Sequence, residues 1–158
     1  MRQFDLSTSN ILCYNLGMQI KYDQIQIEKF LNKYWPNDLF TLDWNNVLSN
    51  SKDPQLFAAF DGDKLIGIVA YNEGIDKTYA NLINMEVINS YWCNDVREAL
   101  LARVIQKSSD ICSETYIQVN VKNGDSQFYE DNGGVLFGNR VIFFPSVSQE
   151  VIKKYLSR

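Results

Sequence analysis

Histidine is missing from the chain altogether. That excludes Ser-His-Asp and Cys-His nucleophile devices in their usual form, and zinc sites built on imidazole. No metal site is expected, and any catalysis must be carried by carboxylates, Tyr, Cys, Lys or backbone groups. Cysteine is scarce: Cys13, Cys93 and Cys112 form an odd set without CxxC spacing, which reads as reduced structural thiols in a cytoplasm. No stretch approaches the ~18 uninterrupted apolar residues of a membrane span. The opening Met1-Arg2-Gln3-Phe4-Asp5 lacks the apolar core of a signal peptide. A basic stripe is lacking too. Fifteen basic residues stand against 19 acidic ones, a formal charge of −4, which argues against duplex nucleic acid as a partner. The acidic balance suits a cationic acceptor such as an amine. No Pro-rich, Ser-rich or single-residue run suggests a linker, so one cytoplasmic domain over residues 1–158, with no membrane partner, is expected.

What the chain does contain is a sequence of alternating periods. Residues 22–35 carry apolar groups near helical spacing, with Pro36 as a stop. Residues 41–49 read as a second short helix, with Thr41 as its cap. The runs 56–60 and 64–71 flank Asp61-Gly62, a hairpin signal, and the second run is apolar on both faces, as in a central strand. Residues 79–88 read as a strand whose alternation slips, because Asn81, Asn84 and Glu86 do not share one face; a β-bulge would account for it. Residues 95–108 form the clearest helix, with Asp95 and Glu98 in capping-box spacing. Residues 115–121 alternate as a strand. A short helix begins near Asp125 or Ser126 and ends at Gly133-Gly134. Strands at 135–137 and 141–144 and a helix at 148–157 complete the order. This is an α/β (mixed α+β) pattern: a mixed, mostly antiparallel sheet with helices on both faces.

The order resembles the GNAT superfamily of N-acetyltransferases. Phe60 to Gly67 looks like that family's second and third strands. Met85-Glu86-Val87, then Tyr91 and the helix at 95, looks like the fourth strand running into the acyl-CoA loop. Ile117-Gln118-Val119 with Asn123, then Phe128-Tyr129-Glu130 and Gly133, looks like the fifth strand and the helix after it. The likeness covers about residues 55–137. It implies a twisted sheet whose fourth and fifth strands run parallel and splay apart, with acetyl-CoA as co-substrate.

The resemblance also implies roles. The family's loop reads Arg or Gln, any, any, Gly, any, Gly or Ala. Here those positions are Trp92, Cys93, Asn94, Asp95, Val96 and Arg97, so both small positions hold large charged residues. A helix N-terminus normally anchors the pyrophosphate. Asp95 would put a carboxylate there as an N-cap, and Arg97 either compensates by reaching a phosphate or flanks a helix that binds nothing. The N–H of Val87 or Ile88 would polarise the thioester carbonyl. Asn123 belongs to the cofactor side. Tyr129 stands where the family's tyrosine protonates the leaving thiolate; packing beneath the sheet is the plainer role. For the base, Glu86 is on the right strand, Asn81 cannot act as one, and a water chain is the alternative. The partner implied is an amine-bearing small molecule or peptide. A homodimer is left open, and so is a silent GNAT-fold interaction protein that has lost acetyl-CoA binding.

Overall fold

A computed structural model of the protein describes residues 19–74, 78–111, 116–121 and 126–156. The first described element is a strand, β1, at Ile20–Ile25. Sequence periodicity assigns this stretch to a helix. The difference lies in long-range pairing: each β1 residue has a partner on β2 (Gln55–Asp61), from Ile20 opposite Asp61 to Ile25 opposite Leu56. Only Ile27–Lys29 (α1) and the π-type turn Phe30–Tyr34 that continues it are helical. Helix α2 is Trp44–Ser49, and its cap is Asp43, whose side chain accepts from the Asn46 N–H; Thr41 serves elsewhere.

Gly62, at φ +61°, makes the left-handed turn between β2 and β3 (Lys64–Glu73). Strand β4 is Ala80–Val87, and a 3₁₀ turn at Asn89–Asn94 leads into α3, Val96–Ile111. Then come β5 (Ile117–Asn120), α4 (Gln127–Asp131), β6 (Val135–Phe137), β7 (Arg140–Phe143) and α5 (Pro145–Tyr155). The sheet order is β1-β2-β3-β4-β5-β7-β6, and every neighbouring pair is antiparallel except β4–β5. No helix among the described residues is long and apolar enough to cross a membrane.

Two apolar layers sandwich the sheet. On one face Leu100, Leu101, Val104 and Ile105 of α3 and Val151 of α5 pack on Ile66, Val69, Leu82 and Ile117. On the other, Phe30, Phe40 and Trp44 pack on Leu56, Ala58, Ile68 and Ala70. Strand β3 therefore feeds both layers, as its doubly apolar sequence requires. Gly67 lets α3 come close: a Cβ there would meet Val87, Leu100 and Val96 at 3.0, 3.2 and 3.4 Å.

The expected slip in β4 is a bulge. Ala70 pairs with Asn84 and Tyr71 with Leu82, so Ile83 is an extra residue. Before it Ala80 and Leu82 face the α3 layer; after it Met85 and Val87 do. The phase change leaves Ile83 and Glu86 on the opposite face, towards α2.

Candidate active site

The β4–β5 pairing is short. Ala80, Asn81 and Leu82 lie opposite Ile117, Gln118 and Val119, and there the ladder stops. The next residue of β4 is the bulged Ile83. From that point β4 runs on to Val87 with no described residue of β5 paired to it, which leaves a crevice at the C-terminal ends of the one parallel pair among the described residues. Open α/β sheets bind ligands at such ends.

Alternation decides which backbone groups face the crevice. Ile88 donates its N–H to the Ile66 carbonyl at 2.9 Å, so Ile88 and Glu86 point their amides at β3. Met85 and Val87 point theirs the other way, to the side β5 has left. Of the two candidates for a carbonyl-polarising N–H, Ile88 is therefore committed to the sheet and Val87 is turned to the crevice.

The turn after β4 closes over this edge. Trp92 donates its indole N–H to the Val87 carbonyl at 2.7 Å. Tyr91 ties the same turn to the hairpin by donating to Asp61 at 2.6 Å; this hydrogen bond pushes the phenol up to about 12. Asp95 then takes a left-handed backbone, φ +59° and ψ 24°. A cap residue is ordinarily extended; Asp95 accepts the first hydrogen bond of α3, from the Ala99 N–H, with a left-handed backbone instead. The position filled by glycine in the resembled loop keeps a glycine-like conformation with aspartate in it, one of the few side chains that tolerate it.

Arg97 follows in the first turn of α3. Its guanidinium lies 4.5 Å from the Trp92 ring centroid and 4.6 Å from that of Phe128 on α4. A flat cation between two aromatic faces is held by the rings' quadrupoles. Its Nε is buried with no hydrogen-bond partner among the described residues. The stack joins the segment following β4 to the helix following β5, the two banks of the crevice. Phe128 as the far bank of this stack is the contact that sequence reasoning missed, since nothing local pairs it with Arg97.

The other expected residues divide plainly. Val96 is fully buried in the core. Asn94 ends the 3₁₀ turn, and Asn123 lies outside the described residues. Tyr129, 7% exposed, packs edge-on against Phe143 and Phe128. Glu86 is on the face away from α3. Its carboxylate accepts from the Thr41 N–H and hydroxyl, the Leu42 N–H and the Trp44 indole N–H. Four donors occupy all four lone-pair positions of a carboxylate, so a proton arriving at Glu86 would displace one of them. This residue pins the segment before α2 to the sheet.

No protein-family profile matches the chain, and no curated protein matches it in sequence. Solved structures do match its fold. The ribosomal-protein-S18-alanine N-acetyltransferase of Escherichia coli superposes with a TM-score of 0.56 at 15% identity, covering 78% of this chain and 91% of that one. A variant of the spermidine N-acetyltransferase of Vibrio cholerae gives 0.57 at 16%, covering 82% and 96%. A Bacillus subtilis acetyltransferase in complex with CoA gives 0.52 at 12%, covering 80% and 98%. The fold is that of the GNAT acetyltransferases, as the order of elements in the sequence suggests.

Proposed function

We propose that the chain transfers an acetyl group from acetyl-CoA to the primary amine of a small molecule or peptide. One observation carries the reading: the parallel pair β4–β5 parts after Leu82 and Val119, at the bulge, and turns the backbone of Met85 and Val87 into a crevice. An open strand edge pairs with any extended ligand that has amides of its own, and the pantetheine arm of acetyl-CoA is such a ligand. The acetyltransferase fold of the structural neighbours supports the same assignment.

The residues at hand fit acetyl-CoA in a modified way. Arg97, pre-stacked and with a buried Nε unpaired among the described residues, supplies a cation where the resembled loop supplies glycine N–H groups. The Val87 N–H faces the position from which it would stabilise charge developing on the thioester oxygen. In the reaction the amine nitrogen forms a bond to the acetyl carbon, the carbon–sulfur bond breaks, and the amine's proton is lost while the thiolate gains one. Tyr129 is the proposed donor to the thiolate. A water chain is favoured over Glu86 as the base, because Glu86 is occupied by four donors.

A second reading has its own observation. Trp92 already occupies the Val87 carbonyl, and Asp95 puts a carboxylate beside the phosphate position. Both features fit a GNAT-fold interaction protein that no longer takes the cofactor. Calorimetric titration with acetyl-CoA separates the two. Micromolar binding with transfer to an amine panel supports the enzyme, while millimolar or absent binding supports the interaction protein.

A further inference from the structure

The two edges of the sheet are built differently. At one edge β1 exposes Lys21 and Asp23, whose side chains form an ion pair of 3.5 Å. Charges along an edge strand discourage pairing with another chain. At the other edge β6 is Val135-Leu136-Phe137, and residues 132–139 contain no charge at all. All three apolar side chains stand out in solvent, at 42%, 41% and 53% exposure, although they alternate between the two faces of the sheet. Phe144, 39% exposed, lies edge-on to Phe137 and extends the apolar strip. Burial against either helix layer cannot account for such a strand, because only a neighbour at the edge covers both faces at once.

The backbone points the same way. Gly138 and Asn139 form a two-residue turn, so Phe137 and Arg140 are a hydrogen-bonded pair and Val135 and Ile142 the next. The amide N–H and carbonyl of Leu136, between them, therefore face outward. A strand with one outward-facing residue at its centre is self-complementary in antiparallel pairing. Rotation about a two-fold axis at Leu136 sets Leu136 against Leu136 of the partner subunit and Val135 against Phe137 of the partner subunit. With no charge in the segment, two copies meet without repulsion.

We infer that β6 is a homodimer edge: two copies of this chain pair β6 to β6, antiparallel about a two-fold axis at Leu136, into one continuous sheet. The isologous contact closes on itself and leaves the charged β1 edges at the two ends. This does not depend on the acetyltransferase reading.

The test is the mass of the full chain in solution, by sedimentation or light scattering at about 50 µM. A species of twice 18.3 kDa is expected. Leu136→Lys, and separately Phe137→Lys, should each return the mass to that of one chain with unchanged circular dichroism. Leu39→Lys, at an exposed leucine elsewhere, should leave the dimer intact. A wild-type chain at single-chain mass overturns the inference. So does a dimer that survives either β6 substitution in a folded variant. If one β6 variant fails to fold, the other decides.

Discussion

The indole N–H of Trp92 donates to the carbonyl oxygen of Val87 at 2.7 Å, so the turn that follows β4 folds back onto the open edge of β4 itself. A ligand that pairs with the Val87 carbonyl competes with this bond. Trp92→Phe keeps an aromatic face for Arg97 and removes the donor. Since a neutral hydrogen bond contributes about 1 kcal/mol net, acetyl-CoA should bind roughly fivefold more tightly to the variant. Calorimetry reads this directly, and an unchanged dissociation constant would mean that the Val87 carbonyl takes no part in binding.

Asp95 sits where glycine would be at ease. Replacement by Gly removes the cost of holding a side chain at φ +59°, and stability should rise by about 1 kcal/mol. It also takes a carboxylate away from the anion position, so acetyl-CoA affinity should rise as well. Thermal unfolding and titration of Asp95→Gly check the two effects separately. A lowered midpoint would show that contacts of the Asp95 side chain outweigh the backbone strain.

Glu86 accepts four hydrogen bonds from the segment that covers one face of the sheet. In Glu86→Gln the charge is gone and an amide NH₂ meets donors, so a loss of about 2–3 kcal/mol is expected. Urea unfolding measures it. If Glu86 only positions, the variant's pH–rate profile keeps its shape. Disappearance of the acid limb would make it the general base.

Tyr91 gives the fold a dependence on alkaline pH. Its hydrogen bond to Asp61 raises the folded-state phenol to about 12, against about 10 in the unfolded chain. Below pH 10 both states hold the proton and this contribution is complete. Between pH 10 and 12 only the unfolded state gives it up, so stability falls as pH rises. Tyr22, raised to about 12 by burial, acts in the same window. Tyr91→Phe should therefore lose stability less steeply than wild type over this range, as followed by urea midpoints. Equal slopes would show that the Tyr91–Asp61 bond does not persist in solution.

Features written in local periodicity were legible. The Asp61-Gly62 hairpin and the long helix after β4 appear as the sequence implies, and β4 and β5 pair in parallel as the family resemblance implies. The bulge was legible as well, because an extra residue breaks a period of two. Features set by distant partners were not. Tyr22 and Ile25 suit a helix in isolation, but β2 recruits them into a strand. Thr41 looks like a cap until Glu86, far along the chain, engages its hydroxyl and leaves Asp43 to do the capping. At Asp95 the helix is entered from a 3₁₀ turn, and that junction fixes a left-handed residue where the spacing suggested an extended one. Arg97 and Phe128 meet only because the two banks of the crevice do.

Ile83 acts as a spacer whose effect is one of parity. With it, the residues of β4 that follow the last contact with β5 have exchanged sides: Met85 and Val87 face α3 and Glu86 reaches the opposite layer. Draw that one residue into a regular ladder, with the chain length unchanged, and every later side chain of β4 trades places. Glu86 would then be driven into the apolar layer under α3, and Val87 would turn out towards Trp44. A single unpaired residue thus sets the orientation of the whole second half of the strand.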